Sequence, residues 1–279
     1  MTGRPVTDAF VTPVPWPPSM EPPYVRELMS GLFNRDADEV WKRRRPVDLI
    51  EEMNAAGVSR AILNAVPGTV EEVLAFVRAY PDRFVFSAEF DPRQGMRTVA
   101  ELRRLIADEG LALVRLVPFQ FELAPDHAYF FPIYAACAEL GVPVSMTMGM
   151  PGPPMPAEVG RPLHLDRVCR YFPELRIVMA HGADPWWDEA IRMMVKFPNL
   201  GMMVSDCAPR HLPPSLIHYM NTRGRSKVLF ATGYPVLSFE RSLAEVEALE
   251  LRPGVAEDFL HGNADRLLGG ADNTNPEEL

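Results

Sequence analysis

Short apolar runs alternate along the chain with longer segments in which apolar residues recur at helical spacing. Segments such as VDLIEEMNAAG and VEEVLAFVRAY have this spacing, and several of them end in glycine. The regular alternation favours parallel strands joined by crossover helices. It predicts eight strands, at residues 5–10, 61–64, 84–89, 112–116, 143–147, 176–180, 200–204 and 227–231.

Eight such units, with no second zone of different composition, predict an α/β fold of the (β/α)8 TIM-barrel type, with a single domain over residues 1–270. A doubly wound open sheet would require a glycine-rich phosphate loop after the first strand, where this chain reads DAFVTPVP. The proline-rich segment at residues 12–46 is expected to be a lid over the barrel mouth or an arm for a partner. Residues 271–279 are expected to be a flexible tail.

The composition indicates a globular protein and argues against one that binds nucleic acid or membranes. The chain has 279 residues, of which 47% are hydrophobic and 23% charged, as in ordinary globular proteins. A net charge of −9 argues against binding to nucleic acid. Three widely spaced cysteines, Cys137, Cys169 and Cys207, indicate reduced thiols. Without an apolar signal core or a run long enough to span a bilayer, we expect a cytoplasmic protein that does not bind membranes.

The active site of a TIM barrel lies where strands end and the following loops begin. In this sequence only one histidine stands at such a position. The residues at the predicted strand ends are Asp8, Phe10, Thr12, Asn64, Glu89, Asp91, Arg115, Thr147, His181, Ser205, Asp206, Thr232 and Tyr234.

Several motifs are similar to those of a known family. The stretches TDAFVTP, RYFPELRIVMAHGADPWWDEA, KFPNLGMMVSD, KVLFATGYPVLSFERSLAEV and FLHGNADRLLG, with others between them, cover most of the length. In these the chain resembles the amidohydrolase-related family, which includes hydrolases and decarboxylases. The resemblance implies a divalent metal, often zinc. Its ligands would be a His-x-His pair after strand one, histidines after strands five and six, and an aspartate after strand eight.

This chain departs from that ligand set at most positions. Phe10 and Thr12 stand at the His-x-His positions, the fifth strand offers only Thr147 or Met150, and Gly233 replaces the acidic or amide residue. Of the expected ligands only His181 is present, and one histidine does not hold zinc. We therefore expect neither a metal nor another cofactor.

If no metal is bound, side chains must carry out the chemistry of the site. His181 is the expected acid and base, oriented by Asp206, while Arg115 holds a carboxylate or an enolate oxygen and Tyr234 donates a hydrogen bond. The expected substrate is a small carboxylated or carbonyl-bearing molecule, with an aromatic ring as an option. Hydrolysis, decarboxylation and another lyase or isomerase step all remain open. The residues expected around the substrate are Phe10, Thr12, Glu89, Thr147 and Trp186.

Two other interpretations stay open at this point. The chain could be a barrel that binds a ligand without catalysis, with His181 retained only by descent. A harder ion such as Mg²⁺ or Mn²⁺ could instead be held by a rebuilt set of Asp8, Glu89, His181 and Asp206. The resemblance also implies a homodimer as an option.

Overall fold

Eight parallel strands form one sheet in which each strand pairs with the next along the chain. The computed structural model describes residues 4–269, apart from the side chain of Glu39, so the predicted tail at residues 271–279 lies outside the described residues. The strands are β1 (Thr7–Val11), β2 (Arg60–Ala65), β3 (Phe84–Glu89), β4 (Leu113–Leu116), β5 (Val144–Thr147), β6 (Ile177–Ala180), β7 (Leu200–Met203) and β8 (Val228–Leu229).

The sheet closes on itself because backbone bonds join the first strand to the last. Ala9 N donates to Phe230 O (3.0 Å), Thr12 N donates to Tyr234 O (2.8 Å) and Gly233 N donates to Phe10 O (3.1 Å). These bonds complete a barrel, and the predicted single-domain TIM barrel is confirmed. All eight predicted strands are present, although β8 is shorter than the sequence predicted.

Helices follow the strands and surround the barrel. Several end where the sequence placed a glycine: α3 ends before Gly57, whose φ of 82° is the left-handed conformation that stops a helix. The helices are α1 (Tyr24–Gly31), α2 (Ala37–Val40), α3 (Pro46–Ala56), α4 (Val70–Ala79), α5 (Met96–Glu109), α6 (Pro118–Phe121), α7 (Phe131–Leu140), α8 (Leu165–Tyr171), α9 (Trp187–Lys196), α10 (Pro214–Met220), α11 (Phe239–Glu247), α12 (Val255–Glu257) and α13 (Asn263–Leu268).

The strands are mostly apolar on both faces, because one face fills the barrel and the other packs against helices. On β2, Leu63 joins the large cluster that includes helical residues such as Leu49 and Leu74. Its neighbour Ile62 belongs to a separate cluster with Leu113, which fills the barrel interior. The three cysteines are free thiols, as predicted. Within residues 4–269, every helix falls short of the length and apolar character that crossing a membrane requires.

The proline-rich segment, residues 12–46, folds back over the carboxyl ends of the strands. Met29 and Val40 pack against Ala208, Val236 and Leu237, which belong to the loops after β7 and β8. Nη1 of Arg35 donates to Val236 O (2.8 Å), which fixes the segment to the same loop. This segment, called the arm below, therefore covers the end of the barrel where the predicted site residues lie.

Candidate active site

A cavity of about 760 Å³ lies between the strand ends and the arm. Its volume is in the range that small-molecule sites occupy in proteins. The strand ends contribute Phe10, Thr12, Asn64, Glu89, Arg115, Thr147, His181, Ser205, Asp206 and Gly233. The arm contributes Trp16, Tyr24, Val25, Leu28, Met29, Leu32, Phe33 and Trp41.

His181 follows β6 directly and is held from several sides. Its φ of 66° is unusual for a residue with a side chain. Nδ1 lies 2.9 Å from Oδ2 of Asp206 and 3.0 Å from Oγ of Ser205. The edge of the ring meets Phe10, with ring centroids 5.1 Å apart at 73°. The imidazole is thus fixed in orientation at the floor of the cavity.

Arg115 points from β4 to the same place and is only 6% exposed. Its Nη2 lies 3.0 Å from Nε2 of His181, and its Cζ lies 4.4 Å from the centre of the Phe10 ring. A guanidinium has only donors, so this contact requires a lone pair on Nε2 and places the ring proton on Nδ1, facing Asp206. Burial lowers the pKa of Arg115, and the negative charges of Glu89 and Asp206 oppose that shift.

Glu89 is the buried carboxyl nearest to this arginine. Its Oε2 lies 3.7 Å from Nε of Arg115, an ion-pair distance that is too long for a hydrogen bond. Burial raises the pKa of Glu89, while Arg115 and a hydrogen bond from Gln120 lower it. Nε2 of Gln120 also donates to the hydroxyl of Tyr24 (2.7 Å) in the arm. A polar chain therefore connects the barrel floor to the arm.

Asp206 occupies the space that the family motif gives to another residue. It follows β7 with a φ of 60°. A Cβ added at Gly233 would lie 1.7 Å from Oδ1 of Asp206 and 2.7 Å from its Cγ. The carboxylate from the β7 loop thus fills the place where the resemblance implies an acidic or amide side chain at position 233.

Two predicted site residues lie outside the cavity. The hydroxyl of Tyr234 donates to Oε2 of Glu52 (2.6 Å) and accepts from Nε of Arg44 (2.7 Å), and its ring stacks on Phe239. Tyr234 thus joins the arm and α3 to the chain after β8, and its hydroxyl, which the sequence predicted to donate to the substrate, bonds to protein groups outside the cavity.

Trp186 is the second of these. It is half-buried at the start of α9, whereas Trp187, one residue later, lines the cavity and donates from Nε1 to Oδ1 of Asp184 (3.1 Å). The sequence places both indoles at the start of one helix, but successive residues point in different directions there. Only Trp187 faces the cavity.

Asp8 does not join the cavity either. Its carboxylate accepts from the backbone N of Phe10 (3.0 Å) and of Thr232 (3.1 Å), and from Oγ1 of Thr232 (2.6 Å). Burial raises the pKa of Asp8 to about 7. The rebuilt metal set with Glu89, His181 and Asp206 is therefore not assembled. No group of three or more His, Cys, Asp or Glu residues within the described part of the chain could hold a metal ion.

The donor set also fails to fit the divalent ion that the resemblance implies. Nε2 of His181, the lone pair that would bind an ion, faces the guanidinium of Arg115. Phe10 and Thr12 line the cavity where imidazoles would be needed. A fixed, buried positive charge beside the imidazole opposes a second cation by repulsion. These residues favour an anion at the floor of the cavity.

Polar groups without protein partners concentrate in this cavity. Of the eight buried side-chain polar atoms that lack a hydrogen-bond partner in the described residues, six belong to residues that line it. Native structures leave few such atoms unpaired, so a concentration of them indicates a site for a ligand. The six atoms are Nε and Nη1 of Arg115, Oγ1 of Thr147, Oδ1 of Asp206, and Nε1 of both Trp16 and Trp41.

Sequence reasoning missed the residues that the arm and the later loops supply. Arg210 and Arg241 line the cavity and share the carboxylate of Glu245, at 2.7 Å and 3.0 Å. Tyr24, Trp16 and the other arm residues follow no periodic pattern in the sequence. One sequence pattern could have indicated this pair of arginines. In RSLAE an arginine and a glutamate stand four residues apart, which is the spacing of an ion pair on a helix, here α11.

Comparison with solved structures supports the fold. An uncharacterised TIM-barrel protein from Bordetella bronchiseptica is 28% identical, with a TM-score of 0.79 over 95% of this chain and 98% of that chain. A dihydroxybenzoic acid decarboxylase from Polaromonas sp. JS666, with bound manganese and the inhibitor 2-nitroresorcinol, is 18% identical, with a TM-score of 0.67 over 99% of this chain and 100% of that chain. At that identity the second likeness shows the fold alone.

Comparison of sequences shows the family. A 2-amino-3-carboxymuconate-6-semialdehyde decarboxylase from Dictyostelium discoideum is 25% identical over an alignment of 293 positions, which covers 87% of this chain and 81% of that protein. The sequence model described as amidohydrolase matches residues 45–270, which include every strand except β1. The chain therefore belongs to the amidohydrolase family.

Proposed function

We propose that this protein is a lyase that decarboxylates a small aromatic carboxylate, and that it does so without a bound metal ion. The observation that carries the proposal is the contact of 3.0 Å between Nη2 of Arg115 and Nε2 of His181, with Asp206 behind the ring. This arrangement places an anion-binding group beside a group that can carry a proton.

The relatives support the type of reaction. The Dictyostelium discoideum protein is a decarboxylase of a carboxymuconate semialdehyde, and the Polaromonas protein is a decarboxylase of dihydroxybenzoic acid. Both reactions remove a carboxylate from a conjugated molecule. The aromatic side chains that line the cavity, including Phe10, Trp16 and Phe119, suit a flat conjugated substrate.

Arg115 is the group that binds the substrate anion. Its Nε and Nη1 are buried and lack a partner in the described residues, so they are free to donate to a carboxylate or to a phenolate oxygen. As Arg115 turns toward the substrate, it weakens its contact with Nε2 of His181. Negative charge that builds on the substrate during the reaction then lies against a desolvated cation.

His181 is the group that transfers the proton. Once Nε2 is released from Arg115 it takes a proton from solvent, and Asp206 stabilises the resulting imidazolium through Nδ1. The imidazolium then donates that proton to the ring carbon that bears the carboxylate. The electron pair of the bond to the carboxylate returns to the ring as carbon dioxide leaves, so charge and atoms balance.

The proposal is tested by measuring carbon dioxide release from 2,6-dihydroxybenzoate and other hydroxybenzoates. The protein is purified without a metal-affinity tag, its metal content is measured by mass spectrometry, and the assay is repeated after dialysis against EDTA. We expect turnover that EDTA leaves unchanged at sub-stoichiometric metal. Arg115→Gln and His181→Gln should each lower turnover by about 100-fold or more, while the exposed-surface control Arg167→Gln should leave it unchanged.

Other outcomes identify the alternatives. One tightly bound ion per chain whose removal stops turnover would overturn metal independence. Binding of hydroxybenzoates with no turnover by any preparation would overturn the lyase proposal and favour a barrel that only binds ligand.

A further inference from the structure

Trp16 and Trp41 form a pair in the arm that the proposed chemistry does not use. Their ring centroids lie 5.5 Å apart at an interplanar angle of 76°, which is an edge-to-face contact. Both residues line the cavity, and the Nε1 atom of each is buried without a hydrogen-bond partner in the described residues. The arm thus places two indoles that carry unpaired N–H donors in the lining of the cavity.

Packing within the pair does not account for both donors. An edge-to-face contact lets one indole direct its edge, and at most its N–H, at the face of the other. At least one N–H is therefore left without an acceptor. A buried donor that stays unpaired destabilises the protein, so a ligand that supplies an acceptor there binds more tightly.

We propose that Trp16 and Trp41 form a second recognition subsite, which binds an oxygen acceptor of the substrate distinct from the carboxylate or oxygen held by Arg115. This inference rests on the proposed function and specifies its substrate class: an aromatic carboxylate with a further oxygen substituent on the ring. Arg115 projects from β4 at the barrel floor, whereas both indoles belong to the arm, so the two subsites lie on different walls.

The chemistry of the subsite determines what it selects. An indole N–H can only donate a hydrogen bond. The subsite therefore binds a hydroxyl, ether or carboxylate oxygen and forms no hydrogen bond with a methyl group or an ammonium. A substrate that lacks the oxygen leaves the N–H unpaired on binding, and sites built in this way discriminate strongly against such analogues. The subsite therefore determines specificity without touching the reacting carbon.

The test compares Trp16→Phe and Trp41→Phe with the wild type. Phenylalanine keeps an aromatic ring in the pair and removes only the N–H and part of the indole. The matched control is Trp186→Phe, because Trp186 lies outside the cavity. Affinities for benzoate, 3-hydroxybenzoate and 4-hydroxybenzoate are measured by isothermal titration calorimetry, and thermal unfolding verifies that each variant is folded.

We expect the wild type to bind at least one hydroxybenzoate more tightly than benzoate. Trp16→Phe or Trp41→Phe should weaken that binding about 5- to 100-fold, which corresponds to the loss of one hydrogen bond, and leave benzoate affinity unchanged. Trp186→Phe should change neither affinity.

Two results would overturn the subsite while leaving the proposed function intact. The first is that both variants bind all three acids as tightly as the wild type does. The second is an equal loss of affinity for benzoate and for hydroxybenzoate, which would indicate a packing role for the indoles. A wild type that binds none of the three acids would instead count against the proposed function, and the subsite would fall with it.

Discussion

The guanidinium of Arg115 lies 3.0 Å from Nε2 of His181, so a permanent cation faces the lone pair of the imidazole at the end of β6. The resemblance to the amidohydrolase-related family implies a divalent metal ion at this histidine. Here a side chain supplies the positive charge, and the same side chain holds the imidazole in one tautomer.

His181→Gln should lower kcat by about 10²- to 10⁴-fold, the usual contribution of a positioned acid or base, while ligand affinity changes little because Arg115 remains. Steady-state kinetics and calorimetry measure the two quantities separately. His218→Gln is the control, because His218 is exposed on α10. Equal losses of kcat and affinity would show that His181 serves mainly to bind.

Arg115→Met should lower the free energy of unfolding by about 3 kcal/mol, because it leaves the buried Glu89 without its ion-pair partner. Adding Glu89→Gln removes the unpaired charge, so the double variant should regain part of that stability without regaining activity. Urea denaturation followed by circular dichroism measures both. A double variant less stable than Arg115→Met would contradict this account of the pair.

The free energy of unfolding should depend on pH through the protonation of Asp8. Burial raises its pKa to about 7 from a usual 3.8, so the folded chain binds the proton more tightly than the unfolded chain. Its contribution to the free energy of unfolding is therefore fully present below about pH 4 and is lost as the pH rises to 7. At about 1.4 kcal/mol per unit, the loss is at most about 4 kcal/mol.

Asp8→Asn removes this titration. The difference in unfolding free energy between wild type and Asp8→Asn should shift against the wild type as the pH rises from 4 to 7, and stay constant above that range. Chemical denaturation at a series of pH values measures it. Asp82→Asn, at an exposed position, is the control. A difference that does not vary with pH would show that Asp8 titrates in the folded chain as it does in the unfolded one.

Gly233→Ala should lower kcat strongly, because the added Cβ would overlap the carboxylate of Asp206 and displace it from His181. Gly57→Ala provides a matched control. Gly57 has a similar positive φ of 82°, but an added Cβ meets nothing within 4 Å, so it carries the backbone cost of about 1 kcal/mol and no clash. If both variants lose equal stability and keep full activity, the clash has no functional effect.

The sequence predicted the parts of this molecule that periodicity determines. Alternating strands and helices specified the barrel, and a barrel brings strand ends together, so His181, Asp206 and Arg115 could be named in advance. The partners of Tyr234 could not be read from the sequence, because the left-handed conformation of Gly233 turns the chain just before it and its side chain meets Glu52.

The arm could not be predicted to the same depth. Its prolines indicated an ordered loop, but the positions of Trp16, Tyr24 and Trp41 depend on tertiary contacts with the loops after β7 and β8. No local pattern encodes such contacts. The link from Tyr24 through Gln120 to Glu89 joins residues that are far apart in the sequence, and it became visible only when the chain was folded.

The shared space between Gly233 and Asp206 constrains how this sequence can change over generations. A side chain at position 233 and the carboxylate of Asp206 exclude each other, so a single substitution that places an acidic residue at 233 produces a collision. Removing Asp206 first leaves His181 without the carboxylate behind it. Each order of these two substitutions therefore passes through a variant in which the carboxylate behind His181 is displaced or lost, so the two changes would be tolerated together more readily than singly.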